Sequence, residues 1–294
     1  MSDKPLRDRF QHVKCRVLVI GRANAGKTSI LQRVCETTES PKIYRVSGDF
    51  RKEIHLNPTI QRGNHDIEDE LIFTNHEGYV FHDSCGFEAG NEDELRTVQD
   101  FVHRKVTKRR LRNRLHAIWY FIPMESARPG LDMKFFDAVC SDKNVPVIAV
   151  FTKYDQFKLD VALDLEDRSE GNATPTLEDI NEEAEKIFLD QYWSVIKGSS
   201  PKYVRLENMH KPGASCSALI IETANALHDD VLRHVLIAVQ REGQKMSVEM
   251  AVESVNLESD GRSILRTCIG CFPHLWVCTQ SLCYMADASW FPCH

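Results

Sequence analysis

With 294 residues, 42% of them hydrophobic, the chain can build one large α/β domain with an appendage, or two small domains. A formal net charge of −6 argues against a nucleic-acid-binding role for the molecule as a whole. The polar start Met1–Asp8 lacks a secretory apolar core, and ten cysteines then point to free thiols in a reducing, cytoplasmic setting.

In chain order, Arg16–Ile20 is an apolar run that predicts a buried strand. Gly21-Arg22-Ala23-Asn24-Ala25-Gly26-Lys27-Thr28 follows it and matches G-x-x-x-x-G-K-[ST]; a helix is predicted over Lys27–Cys35. Residues 36–66 read as a polar stretch. Glu70–Thr74 and Tyr79–Asp83 predict a hairpin turning at Glu77-Gly78. Asn91 with Glu94 forms a capping-box pattern ahead of a helical face of Leu95, Val98, Phe101 and Val102. Seven basic residues lie between Arg104 and Arg114, read as a solvated helix end and turn, with an acidic partner or lipid headgroup as the sharper alternative. Ala117–Ile122 and Val145–Phe151 are continuous apolar runs suited to strands covered on both faces, with a helix expected over Leu131–Cys140. Residues 156–175 are acidic and read as a solvated surface insertion. Thr176 and Asp179 can cap a helix carrying Ile180, Ala184, Ile187, Phe188 and Val195. Tyr203–Leu206 predicts a weaker strand, and residues 216–240 a long helix. The alternation predicts an α/β fold: a doubly wound, mostly parallel, six-stranded sheet over residues 14–240, with a Cys-rich tail at 241–294.

The loop after the first strand has the chemistry of a phosphate cradle. Gly21 and Gly26 permit a tight turn, and the amides of Asn24, Ala25 and Gly26 can face an anion at the helix N-terminus. Lys27 can reach β- and γ-phosphates; Thr28, with Ser29 beside it, offers a hydroxyl to Mg²⁺. Asp83-Ser84-Cys85-Gly86 is D-x-x-G at a strand end, where Asp83 can hold the Mg²⁺ shell and the Gly86 N–H can sense a γ-phosphate. Thr152-Lys153-Tyr154-Asp155 ends another strand. The Asp155 carboxylate can accept from guanine N1–H and N2–H₂, a donor pair adenine lacks, while the Lys153 stem lies along the base; a turn with a capping Asp is the plainer alternative. Thr59, in Asn57-Pro58-Thr59-Ile60, can close its hydroxyl onto Mg²⁺ and its N–H onto the γ-phosphate.

These motifs resemble the translation-factor-related GTPases, the superclass of Ras-like, Era-like and septin-like proteins, over roughly residues 14–240. T-K-x-D for N-K-x-D, and Asp83-Ser84-Cys85-Gly86-Phe87-Glu88-Ala89-Gly90 in place of a D-x-x-G-Q ending, look more like the septin and immunity-associated branch. His82–Leu95, Leu115–Met124, Val145–Asp155 and Tyr203–Pro212 look most like fungal G-domain proteins of unassigned role. The resemblance implies GTP/GDP and Mg²⁺ as ligands. For the loop touching guanine O6 it leaves two places: Glu207-Asn208 after the weak strand, which is preferred, and Glu222-Thr223-Ala224-Asn225, which lies inside a helical pattern.

Where Ras-like members place a water-orienting Gln, this chain has Phe87, which neither donates nor accepts. Slow intrinsic hydrolysis is therefore expected, with completion of the site in a homodimer as one route. Arg51 and Arg62 flank Thr59 and read as surface charges, with arginine fingers as the sharper alternative. A molecular switch and a GTP-dependent assembly protein both remain open, with a P-loop kinase a distant third.

Thr267–Ala286 contains no Asp, Glu, Lys or Arg and holds Ile269, Phe272, Leu275, Trp276 and Val277. A disordered or docked tail, a membrane-surface segment, a kinked span and palmitoylated cysteines are open readings; Cys268 and Cys271 at C-x-x-C spacing fit no standard zinc site with the later cysteines. A peripheral-membrane placement is the alternative to a purely cytoplasmic one.

Overall fold

The computed structural model describes residues 14–47, 50–54, 66–74, 76, 78–84, 92–125, 130, 133–140, 142, 144–169, 174–194, 202–227, 232–233 and 236. Eight strands form one sheet: β1 (Cys15–Ile20), β2 (Lys42–Ser47), β3 (Phe50–Ile54), β4 (Glu70–Ile72), β5 (Tyr79–Asp83), β6 (Ala117–Pro123), β7 (Val147–Thr152) and β8 (Lys202–Arg205). Their spatial order is β3-β2-β4-β5-β1-β6-β7-β8. β5, β1, β6, β7 and β8 run parallel, and β2, β3 and β4 make antiparallel pairs on one side. Five α-helices accompany them among the described residues: α1 (Lys27–Val34), α2 (Glu92–Val106), α3 (Tyr154–Arg168), α4 (Leu177–Ile187) and α5 (Ser217–Ala226).

The central strands are mostly apolar because both faces are covered. Cys15, Val17, Val19, Trp119, Phe121, Ile148 and Val150 face a core capped by Ile30, Leu31 and Val34 of α1 and Leu219, Ile220 and Ala224 of α5. Leu18, Ile20, Ile118, Tyr120, Ile122, Ala149 and Phe151 face the opposite core, capped by Val98, Phe101 and Val102 of α2, Phe157 and Val161 of α3, and Ala184 of α4. Each such fully buried side chain contributes about 1.5–3 kcal/mol relative to exposure. Helices on both faces of a mostly parallel sheet make the doubly wound arrangement.

Four expectations need correction. The sheet has eight strands, not six, because β2 and β3 form inside the polar 36–66 stretch; their residues are mostly exposed, so they carry little apolar signal. Residues 154–168 are the helix α3 and not a surface insertion, since Tyr154, Phe157 and Val161 are buried along one stripe. Within Leu131–Cys140 the described helix is a 3₁₀ turn at Phe136–Ala138. The 216–240 pattern is broken at Leu227, which is extended after α5, although residues 232, 233 and 236 are helical again. The hairpin turning near Gly78 forms as β4 and β5. The Thr176 cap forms as a reciprocal box, the Asp179 amide donating to the Thr176 hydroxyl at 3.2 Å and the Thr176 amide to Asp179 at 2.8 Å. α4 continues as a π-helix over Phe188–Trp193. Asn91, Val195 and the tail at 241–294 lie outside the described residues. Among the described residues no helix is long and apolar enough to cross a membrane.

Candidate functional site

The chain builds β1 and then fills one side of the sheet up to β5 before crossing to β6, so the strand order reverses around β1. A crevice outside the carboxyl ends of strands at such a reversal is where open α/β sheets bind ligands. The loop Gly21–Gly26 leaves β1 there and enters α1. Gly21 has φ +149°, and a Cβ on it would lie 2.8 Å from both the Phe121 Cβ and the Phe121 carbonyl oxygen. Only glycine lets the loop pass this close to β6. Gly26, at φ +84°, caps α1 without any side-chain hydrogen bond, and the first turn of α1 has no acidic residue. An uncapped, positively polarised helix start is suited to an anion.

Lys27 folds back over the loop. Its ammonium donates to the Gly21 carbonyl at 2.5 Å and to the Arg22 carbonyl at 3.3 Å, and lies 3.8 Å from Asp83 Oδ1 at the end of β5. Thr28 and Ser29 are exposed in the first turn. Ser84 donates its amide to the Val19 carbonyl at 3.1 Å, tying the end of β5 to β1. Its hydroxyl is buried with no hydrogen-bond partner among the described residues, beside a cavity of about 310 Å³ lined by Asp66, Asp93 and Thr97.

The second half of the site hangs from β7 and β8. Thr152, 1% exposed, donates its hydroxyl to the Ala25 carbonyl at 2.9 Å and so joins β7 to the loop after β1. Lys153 follows in the left-handed region, φ +57°, and its ammonium makes a short contact with Glu125, which also lies 4.0 Å from Arg22. Asp155 Oδ1 accepts the Asn208 amide at 2.9 Å, while the Leu206 amide donates to Phe151 and the Leu206 carbonyl accepts from the Tyr154 amide. A groove of about 380 Å³ runs beside Asn208 under the loop to Ser215.

Backbone strain marks the same places. Among the described residues, four that are not glycine have positive φ: Asn24, Glu36, Lys153 and Asn208. Three of them are motif residues: Asn24 and Asn208, a residue type that tolerates this region, and Lys153, held where an ordinary side chain costs about 1–2 kcal/mol.

The structure thus brings Gly21, Asn24, Ala25, Gly26, Lys27, Thr28 and Ser29 together with Asp83, and sets Thr152, Lys153, Asp155 and Asn208 along the same edge. Thr223 of the alternative segment is instead buried in α5, donating to the Leu219 carbonyl at 2.6 Å and accepting the Trp119 indole N–H at 3.0 Å. Arg51 does not approach the loop: on β3 it pairs with Glu70 at 2.9 Å and stacks over Tyr44. Thr59, Arg62, Gly86 and Phe87 lie outside the described residues. Glu125 was missed by motif reading. Its signal was positional: it follows the carboxyl end of β6, the strand beside β1.

Strand, glycine loop and helix, with a doubly wound sheet around them, make this the fold of P-loop nucleoside triphosphatases. No protein-family model matches the chain, and no curated protein matches it. Among solved structures it is similar to the G domain of the T. maritima FeoB iron transporter, at 15% identity and a TM-score of 0.39, over 72% of this chain and 98% of that one. A likeness that loose says nothing of function, and the fold rests on the strand order and loop geometry above.

Proposed function

We propose that this chain binds GTP and GDP with Mg²⁺ at the carboxyl edge of β1, β5, β7 and β8 and hydrolyses GTP slowly, as a switch. The observation that carries this reading is the pair of cross-links from the Thr152–Asp155 segment, to Ala25 and to Asn208. They join the Asp155 segment to the loop after β1 and to Asn208, which supports reading Asp155 as a base-reading carboxylate beside a phosphate loop. Asp155 Oδ1 keeps a second lone pair beyond the Asn208 amide, and Oδ2 adds further acceptor capacity for guanine N1–H and N2–H₂. The Lys153–Glu125 contact would orient the lysine stem along the base.

The oxygen set suits Mg²⁺, a hard cation: the Asp83 carboxylate lies beside the Lys27 ammonium, Thr28 follows Lys27 in the first turn of α1, and Thr59 is a third donor by sequence. Bound there, the ion would neutralise charge on the phosphates during transfer. Lys27 would exchange its carbonyl partners for phosphate oxygens, and the Gly86 amide would sense the γ-phosphate.

Competition of GTP against ATP, with and without Mg²⁺, tests the nucleotide. Asp155→Asn tests the base reader: affinity should move from guanosine to xanthosine nucleotides, because xanthine offers an acceptor where guanine offers a donor. Unchanged guanine preference would remove Asp155 from this role.

Phe87 favours a second reading, a GTP-dependent assembly protein with little hydrolysis, including a homodimer across the nucleotide face. Size-exclusion runs with GDP and a non-hydrolysable GTP analogue separate the two. Nucleotide-dependent oligomers without turnover support assembly; a monomer in both states supports the switch.

A further inference from the structure

Six of the seven cations between residues 104 and 114 fall into two groups. Arg104 and Lys105 both pair with Glu68, at 2.9 and 2.8 Å. Lys108, Arg109, Arg110 and Arg112 are exposed, and none has an ion-pair partner among the described residues. Residues 107–114 contain no acidic side chain, in a chain whose net charge is −6.

The loop is held by its main chain. Buried Arg16 donates to the Arg112 carbonyl at 3.4 Å, His116 Nε2 lies 3.0 Å from the Leu111 carbonyl, and Arg114 Nε donates to the Lys108 carbonyl at 3.2 Å. Leu111 packs on the core that also holds Leu227, Leu232 and Leu236. The carbonyls and one leucine face inward, so the four exposed cations are not needed to fix the loop.

Position adds a second observation. The loop precedes β6, at the amino ends of the parallel strands and so at the opposite end of the sheet from Gly21–Thr28 and Asp155. α5 starts from the carboxyl-edge loop after β8 and runs back along β8 and β7. The chain beyond Leu227 therefore continues from the core region on which Leu111 packs, and it later includes the uncharged, apolar Thr267–Ala286.

We propose that the 108–114 loop docks on an anionic lipid bilayer, turning the nucleotide edge away from the membrane. A bilayer fits better than a nucleic acid: residues 107–114 offer no aromatic ring on which a base could stack. It also fits an apolar segment in the same chain, because stable peripheral attachment generally needs two weak anchors.

The test is sedimentation of the full chain with vesicles of phosphatidylcholine, alone or mixed with phosphatidylserine, at low and at physiological salt. Binding should require phosphatidylserine and weaken with salt. Each cation removed lowers partitioning about five-fold, so R109A/R110A/R112A should lose roughly a hundred-fold. R109K/R110K/R112K should restore it, which keeps the test decisive even if the alanine variant melts early. Equal binding by wild type and a normally melting alanine variant would overturn the proposal. So would equal binding to neutral vesicles, which assigns attachment to apolar segments, or binding of single-stranded RNA without vesicle binding.

Discussion

Thr152 and Ala25 are 127 residues apart in the chain, yet the Thr152 hydroxyl donates to the Ala25 carbonyl at 2.9 Å in a fully buried setting. This bond fixes the distance between the end of β7 and the loop after β1. By its motif, Thr152 is a variant first position of a base-reading segment. The structure gives it a job that any small hydroxyl donor can do.

Thr152→Ala should therefore strand a buried carbonyl and cost about 1–3 kcal/mol of stability. Thr152→Ser should retain most of it. Urea denaturation of both variants checks this, and nucleotide affinity should fall in the alanine variant alone.

Gly21→Ala places a methyl 2.8 Å from the Phe121 backbone. Because backbone and not a flexible side-chain tip is in the way, the loop must move. Loss of stability of at least 1 kcal/mol is expected, at the low end for overpacking, together with loss of nucleotide binding. Unchanged stability would mean that β6 yields at Phe121.

Among the described residues, the Lys27 ammonium has as polar partners the carbonyls of its own loop and the Asp83 carboxylate. Lys27→Ala should leave the apo protein folded and abolish the nucleotide response. In the wild type, GTP at a hundred times its Kd should add about 2.7 kcal/mol, read as a rise in Tm; the variant should show no rise.

His82 gives a pH prediction. Burial holds its pKa well below the ordinary 6.5, aided by the Arg16 and Lys105 cations and opposed by its contact with the Ile67 carbonyl. The folded state keeps it neutral, whereas the unfolded chain takes up a proton below about pH 6.5. Its contribution to stability is thus full above that pH and is lost as pH falls towards the folded pKa, by up to about 1.4 kcal/mol per unit. His82→Gln should show a shallower loss than wild type in urea melts at pH 7.5 and 5.5.

The parts legible in sequence were those where burial and chemistry coincide. β1, β6 and β7 are mostly apolar on both faces, and β1 and β7 run straight into motifs. The Thr176–Asp179 box is local and needs no tertiary help. β2 and β3 were illegible because exposed strands rich in Lys, Arg and Glu look like loops until a sheet supplies their partners. α3 hid its stripe of Tyr154, Phe157 and Val161 among Leu159 and Leu163, which are 58% and 60% exposed. The base-reading side was half legible: Asp155 was named from its motif, but Glu125, which reaches Lys153 from β6, belongs to no motif.

β3 also decides how this sheet ends. As its outermost described strand, it presents a backbone rim on which another strand could template. Arg51, Lys52 and Glu53 interrupt that rim with charges that resist dehydration, while Phe50 stands 84% exposed at its start. Among the described residues charge is what guards this margin, so neutralising Lys52 and Glu53 together should make the solvated edge more prone to strand-to-strand association.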